Sequence, residues 1–400
     1  MNIRSLLVMI YSAGLALTGF IFKRVKARDR VVLLVSFPDN ARALLEEYVN
    51  SSRPFELEVL FTRHAVSLAD EYPSVRSQVI NEKHPIDLIK AVYRMFKCKF
   101  VLTDNYFLLT SVLNKRPQTT CIQIWHASGA LKKFGLEDIG NRYRSTGDIK
   151  RFKKVYRSFD LITVGSEKMA DIFKRSFGVE DDRFLRTGVP LTDEYFHAGK
   201  QTADRPDQKV ILYAPTYRDY CLTSVRLPFS KEQLSGELKG EFLLLVKLHP
   251  SVREQITFEE HEGLIKDVSD VPLKDLLMES DILISDYSSV AFEYAFLNKP
   301  ILFFTYDMAE YNEKRGLIDD FEAVIPGKAC MDSEMLLKEI KEMSGTKEEI
   351  KRFAQEWHQY STGDASVRLL NFMSEHMTAN KKRTGRFLME HSRSFYDDYR

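Results

Sequence analysis

Two histidines and a serine-rich turn carry most of the chemistry this sequence can offer. His126 stands in Ile124-Trp-His-Ala-Ser-Gly-Ala-Leu-Lys-Lys-Phe-Gly135, after an apolar run and before small residues. An imidazole at such a place suits general-base work near neutral pH, and Ala127, Ser128 and Gly129 let backbone approach a ligand. A structural histidine bonded to a nearby carbonyl fits the same residues. His249 ends a second apolar run, Glu241-Phe-Leu-Leu-Leu-Val-Lys-Leu-His-Pro250, which also delivers Lys247. A third run, Lys209-Val-Ile-Leu-Tyr213, leads to Pro215, Thr216 and then Arg218. The stretch from Asp281 to Asp307 reads as strand, turn, helix, strand, with Ser285, Asp286, Ser288 and Ser289 where the helix starts. Free N–H groups and two hydroxyls there would hold a phosphate or pyrophosphate. An N-cap and a turn account for the same residue types. Lys132 and Lys133 are either phosphate contacts or a solvated face.

These groups need a scaffold that brings strand ends together. Arg30 to Phe37, Leu57 to Thr62, Lys99 to Asp104, Thr120 to His126, Asp160 to Ser166 and Phe184 to Thr187 read as strands. Helical patterns separate several of them, including Ala41 to Asn50 and Pro85 to Phe96. Strands that are apolar end to end and alternate with helices predict a parallel sheet covered on both faces. Ligands then gather at the carboxyl ends of the strands. A polar stretch from His197 to Gln208 breaks the series, and a second strand-and-helix series starts at Lys209. The expectation is an α/β protein of two Rossmann-like domains facing across a cleft. The first domain spans 29–198 and the second 199–378, with a membrane-associated segment at 1–28 and a polar tail at 379–400. Neither half carries GxGxxG after its first strand, which disfavours a dinucleotide oxidoreductase.

Composition narrows the partners. The 400 residues hold 58 Lys+Arg against 57 Asp+Glu, a formal charge of +1, which argues against a nucleic-acid coat. The basic stretch Lys150 to Arg157 reads as a nucleic-acid patch, a membrane-facing patch or an exposed helix. The cysteines Cys98, Cys121, Cys221 and Cys330 show no CxxC spacing, so reduced thiols and a cytosolic compartment are expected. No zinc-ligand spacing is present.

Ser5 to Phe22 carries no charge, and Lys23, Arg24, Lys26, Arg28 and Arg30 follow it. A spanning helix needs roughly 20 apolar residues, which makes this run borderline. A helix lying in the interface of the cell membrane, on its cytoplasmic face, with the basic cluster on anionic lipid, is the favoured expectation. A single span and a plain buried helix are the alternatives.

Taken together, Trp125-His126 with Gly129 and Lys132, Ala214-Pro-Thr-Tyr-Arg218, Leu248-His-Pro250, and Ser285-Asp-Tyr-Ser-Ser289 with Lys299 to Asp307 resemble the CDP-glycerol glycerophosphotransferase family of teichoic-acid synthesis. The resemblance runs from the N-terminal segment to about Met373, and is greatest to the family's glycerol-phosphate primase branch. It implies a GT-B fold and transfer of glycerol phosphate from CDP-glycerol, with CMP leaving. The implied acceptor is the N-acetylmannosaminyl-N-acetylglucosaminyl disaccharide on undecaprenyl diphosphate. Other teichoic-acid synthesis enzymes at the cytoplasmic membrane surface are implied partners. By the same resemblance His126 is the base, and His249 lies near the donor diphosphate. Ser288 and Ser289 contact donor phosphate, and Pro215, Thr216, Lys247 and Leu248 line the nucleotide site. Glu293 matches a polymerase Asp and would hold a glycerol or ribose hydroxyl. Ala127-Ser128 replaces the family's Gly-Thr, and Leu191 stands where many members carry Arg, so contacts at both places are open. Helix and imidazolium charge would serve in place of a metal, and no cofactor is expected. Polymerase and sugar-nucleotide glycosyltransferase activities are the alternatives.

Overall fold

The computed structural model describes residues 3–53, 55–198, 208–218, 226–249, 258–342 and 346–378. The chain opens with α1 (Ile3–Phe22). Then come β1 (Arg28–Val35), α2 (Pro38–Asn50), β2 (Glu56–Phe61), α3 (Ser67–Glu71), β3 (Arg76–Val79), α4 (Pro85–Phe96), β4 (Cys98–Thr103), β5 (Thr120–Gln123), α5 (Thr146–Tyr156), β6 (Leu161–Thr163), α6 (Glu167–Phe173), β7 (Phe184–Leu185) and α7 (Thr192–Ala198). Their strands pair in parallel in the order β3-β2-β1-β4-β5-β6-β7. Alternate residues of β1 serve two faces, as a strand must. Val31, Leu33 and Val35 pack with α2, while Val32 and Leu34 pack with α4.

A second parallel sheet follows, in the order β10-β9-β8-β11-β12-β13. Its elements are β8 (Lys209–Tyr213), β9 (Phe242–Val246), β10 (Ile265–Asp267), α8 (Leu273–Glu279), β11 (Ile282–Ser285), α9 (Val290–Ala295), β12 (Ile301–Phe304), α10 (Met308–Lys314), α11 (Phe321–Val324), β13 (Ala329–Cys330) and α12 (Ser333–Glu342). In each sheet the strand order reverses direction beside the first strand, between β1 and β4 and between β8 and β11. Loops leaving those strand pairs open a crevice, which is where open α/β sheets bind ligands.

The last two helices, α13 (Thr346–Trp357) and α14 (Ala365–Thr378), do not stay with the second sheet. α13 spans both halves, lying against α9 and α6. α14 returns to the first, where Leu369, Leu370, Phe372 and Met373 share the core of Val31 and Leu33. Assigning 199–378 wholly to a second domain therefore differs from the structure at its C-terminal end. The Asp364 carboxylate at the start of this helix is taken by Thr362 and Arg368 and does not cap it. Instead the Asp193 carboxylate of α7 accepts from Ala365 N at 2.9 Å and Ser366 N at 2.7 Å. The boundary at residue 199, Cys221, Pro250 and the tail at 379–400 lie outside the described residues.

α1 is helical over the expected run, yet no helix among the described residues is long and apolar enough to cross a membrane. Ser12, Thr18 and two glycines dilute it, and the Ser12 and Thr18 hydroxyls donate to carbonyls one turn back. The single-span alternative for this run is corrected accordingly. α1 leans on α4, with Leu15 buried and the Phe22 ring 5.1 Å from that of Tyr93. Its other side leaves Leu7, Ile10, Leu17, Phe20 and Ile21 exposed, and α4 adds Ile86 and Ile89.

Candidate active site

His126 follows β5 and is held on every side. Its ring stacks on Trp125 at 4.2 Å and on Phe37 at 4.5 Å, and Trp125 in turn stacks on Phe134 at 5.1 Å. The imidazole thus sits inside a column of aromatic rings. Nδ1 lies 2.8 Å from the Asp104 carbonyl oxygen. A carbonyl can only accept, so Nδ1 carries the proton and Nε2 keeps the lone pair. Burial pushes the imidazole down to about 4, and the nearby Lys132 ammonium adds to that shift. At neutral pH the ring is therefore uncharged and ready to take a proton.

The loop after β1 and the end of β4 build this holder, and both flank the point where the strand order reverses. The Asp104 carboxylate accepts from Ser36 N and Phe37 N, each at 2.8 Å, and from Ser36 Oγ at 3.1 Å. That fixes Phe37 against the imidazole. Trp125 has a φ of +57°, in the left-handed region, which costs a side chain about 1–2 kcal/mol. Buried Asn40 donates through Nδ2 to the Trp125 carbonyl, and Trp125 N donates to Gln123 Oε1 at 2.8 Å. These bonds hold the strained turn that presents His126. Sequence reasoning missed Phe37, Asn40 and Asp104. Ser36-Phe-Pro-Asp at the carboxyl end of the first strand was the available signal.

The residues after His126 meet protein. Ala127 and Ser128 are buried. Ser128 donates through N and Oγ to Glu293 Oε1 of the second half, at 3.1 and 2.7 Å. Burial raises the Glu293 carboxyl to about 7, against the opposing pull of those bonds. A Cβ on Gly129 would lie 2.5 Å from the Phe292 ring, so glycine here makes room for the second domain. Ser128 and Gly129 of the first half thus meet Glu293 and Phe292 of the second, with buried Ala127 beside them.

On the opposite wall, Ala214 to Arg218 leaves β8, Lys247 to His249 leaves β9, and Asp286 to Ser289 leaves β11. Thr216 donates through N and Oγ1 to Asp286 Oδ1, at 2.8 and 2.6 Å, and Pro215 is half-buried beside it. Buried Arg218 reaches both Asp307 oxygens at 2.5 and 2.9 Å and Asp286 Oδ2 at 2.9 Å. It braces the loops, and its charge is spent on two carboxylates. The Lys247 ammonium donates to the carbonyls of Ser269 and Val271, at 3.0 and 2.6 Å. Leu248 is buried, its N–H on Ser269 Oγ. His249 is exposed, stacks on Tyr217 at 5.2 Å, and is shifted down by burial and then by Lys132. Ser288 and Ser289 are half-buried, and Ser288 Oγ accepts weakly from Val290 N at 3.4 Å. The helix they precede has only six residues, so its dipole is small. His126, His249, Ser288, Ser289, Pro215, Thr216 and Lys247 keep accessible surface, the last two with their polar ends bonded within the protein.

The cleft's two walls touch through a short antiparallel contact. Lys132 bridges to Leu317, Lys133 N donates to the Gly316 carbonyl at 2.9 Å, and Ile318 N to the Leu131 carbonyl at 3.2 Å. A neutral base with a fixed tautomer on one wall and hydroxyls with a histidine on the other can run proton removal coupled to attack at a bound phosphate.

Comparison with known proteins agrees with that chemistry. A family model described as CDP-Glycerol:Poly(glycerophosphate) glycerophosphotransferase matches residues 18–375. The teichoic acid glycerol-phosphate primase of Bacillus subtilis (strain 168) is 52% identical over 377 residues, covering 93% of this chain and 99% of that one. The protein of the same name from Staphylococcus aureus (strain NCTC 8325 / PS 47) is 30% identical over 370 residues, covering 90% and 96%. In fold, the wall teichoic acid polymerase TagF is similar with a TM-score of 0.72 at 22% identity, covering 94% of this chain and 96% of that one. A UDP-N-acetylglucosamine 2-epimerase is similar with a TM-score of 0.57 at 16% identity, covering 90% and 98%. The chain belongs to the CDP-glycerol glycerophosphotransferase family.

Proposed function

We propose that this enzyme moves one glycerol phosphate from CDP-glycerol to the N-acetylmannosaminyl-N-acetylglucosaminyl disaccharide on undecaprenyl diphosphate, priming wall teichoic acid. The observation that carries the reading is the uncharged His126, its tautomer set by the Asp104 carbonyl, facing a second half whose open groups are hydroxyls and an imidazole. The identity to two proteins named as primases, over nearly their full length, supports a single transfer.

In the mechanism, Nε2 of His126 takes the proton from the acceptor sugar hydroxyl. That oxygen bonds to the glycerol-bearing phosphorus while the bond from that phosphorus to the CMP oxygen breaks, and CMP leaves with the electron pair. Ser288, Ser289 and His249 hold the diphosphate in line and meet the growing charge. The two α/β halves, with the terminal helix returning to the first, support the GT-B reading of donor in one wall and acceptor in the other.

A lipid-linked acceptor requires the enzyme to work at a membrane surface. The exposed Leu7, Ile10, Leu17, Phe20 and Ile21 beside Ile86 and Ile89 of α4, followed by Lys23, Arg24 and Lys26, support docking of this face on anionic lipid. The deciding experiment incubates enzyme, excess CDP-glycerol and the lipid-linked disaccharide, then measures CMP and the product mass. One added glycerol phosphate is expected. Long chains would make the enzyme a polymerase, and no CMP release would overturn the reading.

A further inference from the structure

We propose that Lys132, contributed by the first domain, is the cation that touches the non-bridging oxygens of the donor diphosphate during transfer. The inference rests on the proposed function and adds to it a residue from across the cleft.

The donor brings two negatively charged phosphates, and departure of CMP places one further charge on the leaving phosphate. That growing charge calls for a cation at the leaving phosphate. Most candidates are already committed. Arg218 is held by Asp307 and Asp286, the Lys247 ammonium by two carbonyls, and the Lys299 ammonium by the carbonyls of Met278 and Ser280. Lys132 differs. Among the described residues no carboxylate or carbonyl takes its ammonium, although the side chain reaches solvent.

Its placement is fixed by backbone. The bridge to Leu317 and the bonds on either side clamp residues 131–133 to residues 316–318. Side chains alternate along extended chain. Lys133 goes one way and pairs with exposed Asp319 at 3.0 Å. Lys132 goes the other way, where its field reaches Asp286, Arg315 and Arg218 of the second domain and both His126 and His249. One ammonium whose field falls on both histidines stands on the side of the clamp that base and donor share. The same field helps keep His126 uncharged.

The test compares K132Q, K132R and K133Q with wild type in CMP release and in calorimetric titration with CDP-glycerol. Thermal unfolding checks folding, since the clamp itself is made of backbone. K132Q is expected to lose about 100-fold or more in kcat/KM, K132R to recover at least about a tenth of wild-type activity, and K133Q to stay within about threefold. A folded K132Q within about threefold of wild type, or a loss that arginine does not lessen, overturns the proposal. Wild-type turnover in the same assay judges the proposed reaction separately. Should wild type be silent, CDP-glycerol affinity decides: weakening of about tenfold in K132Q supports the lysine contact, and unchanged affinity overturns it.

Discussion

The two histidines of the cleft are built in opposite ways. His126 is walled by Phe37 and Trp125, with its Nδ1 proton assigned by a backbone carbonyl. His249 is exposed and stacks on the ring of Tyr217. A base needs one tautomer, one orientation and low charge before substrate arrives, and a rigid shell supplies all three. A group that greets a diphosphate gains from access to water and freedom to settle on its ligand. The first domain therefore invests in a preformed base, and the second in an open, polar receiving surface.

Substitutions can break this contrast. His126→Ala should lower kcat by about a thousandfold in CMP release while CDP-glycerol still binds in a titration; near-normal turnover would remove the base from the scheme. His249→Ala should cost about a hundredfold, with a substantial part seen as a higher KM for CDP-glycerol. If its loss fell wholly on kcat, the contrast between base and receiving group would shrink.

Phe37→Ala sharpens the comparison through pH. Removing the ring lets water reach the imidazole, so its depressed value rises back toward the usual range near 6.5. More of the base is then protonated in mild acid. Activity should fall about tenfold at pH 5.5 and about threefold at pH 7.5, a difference a full pH–rate profile would reveal. An unchanged acid limb would show that Phe37 does nothing for the imidazole.

The smallest effect should come from Glu293→Gln. Burial raises this carboxyl from 4.5 to about 7, so the folded state holds a proton that the unfolded chain releases. Stability from that proton is complete below pH 4.5 and is lost as pH rises through 7. Glutamine keeps a carbonyl for Ser128 and cannot ionise. Its thermal midpoint should match wild type at pH 4.5 and exceed it by a few degrees at pH 8, on the order of 1–3 kcal/mol. Equal midpoints at both would mean that Glu293 ionises without cost.

The strands were legible because parallel, doubly covered strands write long apolar runs. β3 was missed because Arg76-Ser-Gln-Val79 is a polar edge, and β13 because Ala329-Cys330 holds no β-branched or aromatic residue. The histidines and serines were legible from residue type at strand ends. The Phe37–Asp104–Asn40 holder was not, since its partners are 67 to 85 residues apart and meet only through the reversed strand order. The partners of Arg218 were also hidden, since Asp286 and Asp307 lie far along the chain. The return of α14 was hidden for a related reason: an amphipathic helix does not state which sheet it will cover.

That return sets a schedule for synthesis. A ribosome releases β1 and β4 early, and Leu369, Phe372 and Met373 only after the whole second sheet. Through the whole production of the second domain, the nascent first domain carries an uncovered apolar face around Val31, Leu33 and Leu102. Chaperones guard such surfaces in growing chains. The first domain to emerge is thus finished only after the second has been made, when α14 arrives to cover it.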